Sequence, residues 1–358
     1  MTSINKISLV QFRNYSSAAF SFPAPVTCIT GANGSGKTNL LDAIYYLCYT
    51  KSYFTAYQQN CAQNGTDGFR VAGTFIRNGR EETISCKWKG GKKEIYNNEK
   101  EYEKITDHIG IYSAVMIAPD DTGLINGGSE LRRRWADSIL GQADKMYLES
   151  LMHYQRVLLQ RNSWLKIQAY KPAKDNTELD YYNEALAAGS KYIYEQRQTF
   201  LADFLPLLDK FYHELTGGRE AIQVTYSSDL SQKPHAAWLK DGLALDLRYQ
   251  RTLRGIHKDD WDFRLNGLLL KQFGSQGQKK SFLFALKLAQ YAYLSKTLGH
   301  LPILLLDDIF EKLDQSRMEA LLRIIRGPHF GQVILTDTHP ERIRQAFGEG
   351  TEVGFIHL

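Results

Sequence analysis

The segment GANGSGKT, at residues 31 to 38, satisfies the pattern G-x-x-x-x-G-K-[ST] of a loop that holds phosphate groups. Its glycines let the backbone curl so that N–H groups face phosphate, and a following helix adds its positive end. Lys37 is expected to reach the β- and γ-phosphates of ATP, and the Thr38 hydroxyl to bind Mg²⁺. The predicted nucleotide contacts of this loop are Gly31, Ala32, Asn33, Gly34, Ser35, Gly36, Lys37, Thr38 and Asn39.

A second segment, LPILLLDDIF at residues 301 to 310, is an apolar strand that ends in two carboxylates. Carboxylates at a strand end are suited to hold a hard cation opposite a phosphate loop. We predict that Asp307 is the magnesium ligand and that Asp308 polarises the attacking water. Lys37 and Asp308 are thus the predicted catalytic residues, and Thr38 and Asp307 the predicted metal ligands.

The elements that must position these residues are buried strands alternating with helices at both ends of the chain. Val26 to Thr30 is a predicted strand that enters the loop, a helix follows from Asn39, and Ile303 to Leu306 is a second strand. Further strands are predicted at 4–21, 69–76, 82–89, 94–97, 114–118, 222–227 and 332–336, with a turn at Gly90 and Gly91 and a helix from Gln278 to Leu298.

The middle of the chain differs in composition from its ends. Residues 129 to 216 are rich in Leu, Tyr, Gln, Glu, Lys and Arg at helical spacing, with an interruption around 172–176. The fold class is therefore α/β, with an ATPase domain formed by residues 1–120 and 220–358 and a helical insertion at 121–219. A long coiled coil is not expected, because no heptad pattern is sustained.

The segment FGSQGQKKSFLFALKLA, at residues 273 to 289, places small and polar residues before a helix and shortly before the two aspartates. It resembles the Leu-Ser-Gly-Gly-Gln signature of ABC ATPases, in which Ser275, Gly277 and Gln278 match while Gly274 and Gln276 depart. Alternatively, Ser275 is simply a helix cap. The resemblance implies that Ser275, Gln276, Gly277 and Gln278 contact nucleotide.

The residues after the two aspartates extend this resemblance. Glu311, Lys312, Leu313 and Asp314 are similar to the D-loop of ABC ATPases, which implies that Asp314 lies at the nucleotide. His339 follows a predicted strand at the place of the switch histidine, where Asp337 and Thr338 are alternatives.

Several longer segments resemble the RecF family within the ABC and SMC-like group. They are LVQFRNY near the start, AVMIAPDDTGLINGGSELRRRWAD at 114–137, DYYNEALAAGSKYIYEQR at 180–197 and RGIHKDDWDFRLNG at 254–267, followed by FGSQGQ. The resemblance implies a compact ATPase head with a helical second lobe. It also implies an ATP-dependent homodimer acting slowly on gapped DNA in cytoplasmic recombinational repair, with partners similar to RecR and RecO that help to load RecA.

Composition agrees with these expectations and excludes some alternatives. The chain of 358 residues has 43% hydrophobic residues and a formal net charge of +5, which permits DNA binding. Four scattered cysteines favour a reducing cytoplasm, and no apolar run predicts a membrane span. Candidate DNA contacts are the cationic clusters Lys87, Lys89, Lys92 and Lys93, and Arg132, Arg133 and Arg134. The alternatives are another SMC-like ATPase, a transporter-associated ATPase and a small-molecule phosphotransferase.

Overall fold

A computed structural model describes residues 2–168, 175, 177–218, 220–309, 314–348 and 352–358. Within these residues the chain forms two compact units. The first contains Met1–Thr122, Leu207–Arg219 and Gln276–Leu358, and the second contains Gly123–Pro206 and Glu220–Ser275. The predicted α/β class with an ATPase head built from both chain ends is confirmed.

The strands of the first unit form two sheets. Their strands are β1 Thr2–Phe12, β2 Tyr15–Ser21, β3 Val26–Thr30, β4 Gly68–Arg77, β5 Arg80–Lys89, β6 Lys92–Asn97, β7 Lys100–Glu101, β8 Ala114–Ile117, β12 Ile303–Leu306, β13 Val333–Asp337 and β14 Val353–His357. The antiparallel sheet has the order β2-β1-β4-β5-β6-β7, and the parallel sheet has the order β14-β3-β13-β12-β8.

The helices of the first unit cover these sheets. They are α1 Lys37–Tyr49, α9 Gln276–Leu298, α10 Gln315–Ile325 and α11 Pro340–Phe347, together with the C-terminal end of α5 Thr177–Thr216. Helix α1 is buried along nearly its whole length, because its leucine and tyrosine side chains join the core shared by both sheets.

The second unit combines helices with a small antiparallel sheet of order β11-β10-β9. Its strands are β9 Ile222–Ser227, β10 Asp260–Leu265 and β11 Leu268–Leu269. Its helices are α2 Gly123–Asn126, α3 Ser129–Ala143, α4 Lys145–Gln168, most of α5, α6 His235–Asp241, α7 Leu243–Tyr249 and α8 Leu270–Phe273. None of the helices among the described residues is long and apolar enough to cross a membrane.

The division of the chain differs from the predicted one, because residues 220–275 belong to the second unit and 207–219 to the first. Ion pairs link residues 220–275 to helices of the second unit. Arg132 of α3 donates two hydrogen bonds to Asp260, at 2.7 and 2.9 Å, and Arg197 of α5 pairs with Asp259 at 2.8 Å. Neither pairing is visible in a local sequence pattern.

The first predicted strand, at residues 4–21, is a hairpin of β1 and β2 rather than one strand. Phe12 pairs with Tyr15, and Arg13 turns the chain with a φ of 54°. The turn has no glycine or proline, and Asn14 is its one residue of a type that favours turns. The hairpin at Gly90 and Gly91 is confirmed, as are the helix before Leu298 and the strand Ile303–Leu306. The predicted interruption around 172–176 lies almost entirely outside the described residues.

Candidate nucleotide site

Parallel pairing brings the predicted phosphate loop and the two aspartates to one edge of a sheet. Strand β13 lies between β3 and β12, with Asp337 opposite Thr30 and Leu335 opposite Leu306. The carboxyl ends of parallel strands meet at one edge, where α/β proteins bind ligands. The loop that begins at Gly31 and the aspartate pair at 307–308 therefore lie on the same side of the sheet.

The phosphate loop depends on glycine at two positions. Gly34 and Gly36 have φ of 83° and 110°, which is left-handed backbone that favours glycine. A Cβ on Gly36 would also lie 2.6 Å from Asn14 Nδ2. Gly36 directly precedes α1, so the unpaired amides of the first helical turn face the loop.

Lys37 folds back over this loop. Its Nζ donates to the carbonyl oxygens of Gly31 at 2.8 Å and Ala32 at 3.1 Å, and the residue is 5% exposed. These neutral carbonyl acceptors hold the buried ammonium group of Lys37 next to the loop amides. A phosphate placed there would be a stronger acceptor, because charge-assisted hydrogen bonds exceed neutral ones.

Thr38 and Asp307 form the donor set that suits a magnesium ion. The Thr38 hydroxyl lies 3.0 Å from both carboxylate oxygens of Asp307, although 269 positions separate the residues. Burial raises the pKa of Asp307, opposed by hydrogen bonds from Thr336 and Thr38. Hydroxyl and carboxylate oxygens are the ligands that Mg²⁺ prefers, so these residues fit the ion.

Thr336, on β13, orients both aspartates. Its hydroxyl donates to Asp307 Oδ1 at 2.9 Å and accepts the Asp308 backbone N–H at 2.9 Å. Asp308 has a φ of 45°, unusual for a residue with a side chain. Its side chain is partly exposed, whereas Asp307 is buried. The pair is thus split into an inward carboxylate and one accessible to water.

A second turn supports the phosphate loop from outside. Asn14 Nδ2 donates to the carbonyl of Ser35 at 3.1 Å, and Asn39 Nδ2 donates to Asn14 Oδ1 at 2.8 Å. The Tyr15 hydroxyl donates to the Gly36 carbonyl at 3.1 Å, and burial raises the pKa of Tyr15 to about 12. Sequence reasoning missed Asn14, Tyr15 and Thr336 as site residues. The family resemblance of LVQFRNY was a signal for Asn14 and Tyr15, whereas Thr336 lies outside that segment.

Buried polar contacts extend from the signature helix α9. Lys287 Nζ lies 3.1 Å from Asp121 and donates to the Tyr53 hydroxyl at 2.7 Å, and Tyr53 also hydrogen-bonds to Asp121. The Tyr53 backbone N–H donates to Asp42 at 2.8 Å, which pairs with Arg13 beside the supporting turn. These contacts link α9 to Tyr53, and through Asp42 to the supporting turn at Arg13.

The signature residues and Asp314 lie at helix starts. Gln276, Gly277 and Gln278 form the first turn of α9, and Ser275, which precedes it, is exposed. Asp314 is the N-cap of α10, where its Oδ1 accepts the Arg317 backbone N–H at 3.0 Å. The other predicted D-loop residues, 311–313, lie outside the described residues.

His339 is exposed at the N-cap of α11. Its backbone N–H donates to Asp337 Oδ1 at 2.6 Å. Asp337 is buried at the end of β13, and Arg342 lies 3.7 Å from it. Two of the residues predicted as the phosphate switch therefore differ in exposure. His339 is exposed to solvent, whereas Asp337 is buried and contacts the His339 backbone and Arg342.

Comparisons with known proteins agree with this geometry. A family model described as the RecF/RecN/SMC N terminal domain matches residues 3–353. A protein of Flavobacterium johnsoniae called DNA replication and repair protein RecF is 43% identical, with 95% of each chain covered. One of the same name from Cytophaga hutchinsonii is 40% identical, with 98% of this chain and 93% of that one covered.

A solved structure of the recombination mediator protein RecF with ATPrS, in the RecFOR pathway, superposes with a TM-score of 0.88. It is 27% identical and covers 99% of this chain and 96% of its own. The ABC-type head, the phosphate loop on its parallel sheet and these near full-length matches lead to one conclusion: the chain belongs to the RecF family.

Proposed function

We propose that the chain is an ATP-dependent DNA-binding protein of cytoplasmic recombinational repair. ATP would bind at Gly31 to Asn39 and close a homodimer on gapped DNA, and slow hydrolysis would open it. The observation that carries the ATP-binding part of this proposal is the contact between Thr38 and Asp307 beside a formed phosphate loop. Membership of the RecF family supports the proposed DNA substrate, the proposed partners similar to RecR and RecO, and the proposed role in RecA loading.

The residues present divide the chemistry among them. Loop amides and Lys37 would hold the phosphates, and Thr38 and Asp307 would hold Mg²⁺, which supplies positive charge to the phosphate oxygens. Asp308 is the proposed acceptor of a proton from attacking water. Its arm is shorter than that of glutamate, and its backbone is held at a φ of 45°. We infer slow hydrolysis from this limited reach.

We propose that each nucleotide site is shared between two copies of the chain. Ser275, Gln276, Gly277 and Gln278 of one copy would cover the nucleotide of the other, with Asp314 at the same surface. Asp314 Oδ1 accepts hydrogen bonds from the Ser316 hydroxyl and the Arg317 backbone N–H, and Asp314 Oδ2 accepts one from the Arg317 side chain. Asp314 thereby also sets the start of α10, and its contact with nucleotide stays a proposal. His339 stays a proposed phosphate contact.

Binding to a labelled gapped duplex tests the function directly. We expect tight binding with ATP and Mg²⁺, weak binding with ADP, and a shift from monomer to dimer in light scattering under the ATP condition. A blunt duplex is the control for the gap. Equal binding with ATP and ADP would contradict a nucleotide-controlled clamp, and ATP-dependent phosphorylation of a metabolite would favour the phosphotransferase alternative.

The DNA-contacting surface that we propose is a basic strand face formed by Arg70, Lys87, Lys89 and Lys92. Arg70 pairs with Lys87, and Lys89 with Lys92, and paired residues of antiparallel strands share a face. All of them are exposed. Lys93 lies apart from this face, because its Nζ donates to the Thr50 carbonyl at 2.8 Å and burial lowers its pKa.

The arginine cluster has a packing role at two of its positions. Arg132 pairs with Asp260 and is 7% exposed, and Arg133 donates to the Asp259 carbonyl at 2.7 Å. Arg134 is exposed and pairs with Glu130. The basic strand face is therefore the stronger candidate for phosphate contact.

Replacing Lys87 and Lys89 together with alanine should flatten the salt dependence of DNA binding. Each lost phosphate contact lowers the slope of log K against log salt by about 0.9 for duplex DNA. The matched control is Lys191→Ala with Lys210→Ala, since these helical lysines have 80% and 59% exposed side chains. An unchanged slope in the strand variant would remove this face from the DNA site.

A further inference from the structure

Arg317 contacts both the cap of α10 and the first turn of α9. Its Nη1 donates to Asp314 Oδ2 at 2.8 Å, while its backbone N–H donates to the other carboxylate oxygen at 3.0 Å. The Ser316 hydroxyl donates to the same carboxylate at 2.8 Å. The start of α10 is therefore built around one aspartate and one guanidinium group.

The same guanidinium group packs against Gly277. A Cβ added to Gly277 would lie 2.8 Å from Arg317 Nη1 and 3.6 Å from Cζ. Gly277 lies within α9 and has no positive φ, so its backbone conformation is open to any residue. Glycine at this position thus provides room for Arg317 within the chain itself.

We propose that Arg317 is a positioning residue that joins the signature turn to the D-loop end of α10, so that both present one surface to a second copy of the chain. This inference rests on the proposed dimer. A partly exposed ion pair adds little stability, and the Arg317 side chain is 30% exposed. The guanidinium group instead fixes geometry, because its Nη1 both donates to Asp314 Oδ2 and packs against α9 at Gly277.

The contact can be tested on the monomer without nucleotide, by hydrogen exchange. Arg317→Met keeps the length of the side chain and removes its charge. We expect faster exchange of the amides at 280–282, which bond to carbonyls of the first turn of α9, and of those at the start of α10. Arg323→Met is the control, because Arg323 is exposed on the same helix. Faster exchange in α10 alone would reduce Arg317 to an ordinary cap and overturn the proposal.

A double-mutant cycle then tests the role in dimerisation at saturating ATP. Gly277→Ala should weaken the dimer about tenfold in the parent chain, because its methyl group displaces Arg317. In an Arg317→Ala background the same change should cost less than about twofold, since the space is vacant. Equal losses in both backgrounds would overturn the proposal and assign the glycine requirement to the nucleotide of the second copy.

A negative result in one experiment can be distinguished from a negative result in the other. Hydrogen exchange requires neither ATP nor a second copy, so it decides whether Arg317 joins the two helices even where the parent chain forms no ATP-dependent dimer. Absence of a dimer in the parent chain would contradict the proposed function. A parent dimer with additive substitutions would contradict only the positioning role of Arg317.

Discussion

Asp308→Asn is expected to slow single-turnover ATP hydrolysis by about 10²- to 10⁴-fold, the usual contribution of a positioned general base. Asparagine keeps the shape of the side chain and tolerates left-handed backbone, which matters because Asp308 has a φ of 45°. Asp307, which is buried against Thr38 and Thr336, is unchanged by the substitution. ATP affinity should therefore be retained.

The slow variant should also hold DNA for longer. If hydrolysis opens the dimer, the lifetime of the dimer and of its DNA complex should rise with the loss of turnover. Asp203→Asn is the matched control, since Asp203 is exposed on α5. Single-turnover hydrolysis at the parental rate would show that another group activates the water.

At limiting ATP, Lys37→Ala should impair ATP-dependent dimerisation and Ser275→Arg should abolish it, for different reasons. Lys37 is a buried cation in the phosphate loop, and hydrogen bonds from a charged group contribute about 1.5–3 kcal/mol each. Its loss should weaken ATP binding by about 10- to 100-fold. Ser275 is exposed, so arginine there should leave the monomer folded and able to bind ATP. The bulky side chain would block the nucleotide of the second copy.

Mixing the two variants separates a composite site from two independent ones. In a mixed dimer, one site pairs both defective elements and the other pairs both intact elements. We expect partial recovery of ATP-dependent dimerisation and hydrolysis, measured by light scattering and phosphate release. The control for the added charge and bulk is Ser163→Arg, at an exposed serine on α4, used in the mixture in place of Ser275→Arg. A covalently tethered mixed dimer with no recovered ATP response would contradict sharing of Ser275 between copies.

The residues whose chemistry depends on neighbours in the chain could be predicted from the sequence alone. GANGSGKT places Lys37 and Thr38 by its own backbone geometry, and the apolar run before Asp307 predicts a buried strand with carboxylates at its end. Local patterns also predicted the β5–β6 hairpin, because Gly90 and Gly91 supply the positive φ that its turn requires.

Tertiary structure alone decided which distant residues meet. Thr336 joins the site because parallel pairing sets its strand beside both β3 and β12, and Asn14 reaches Ser35 through a hairpin turn without a glycine. The segment at 220–275 joins the second unit through ion pairs of Arg132 and Arg197. Arg317 lies against Gly277 by the packing of two helices. Such contacts depend on strand order and side-chain packing, which the period and composition of a single segment do not encode.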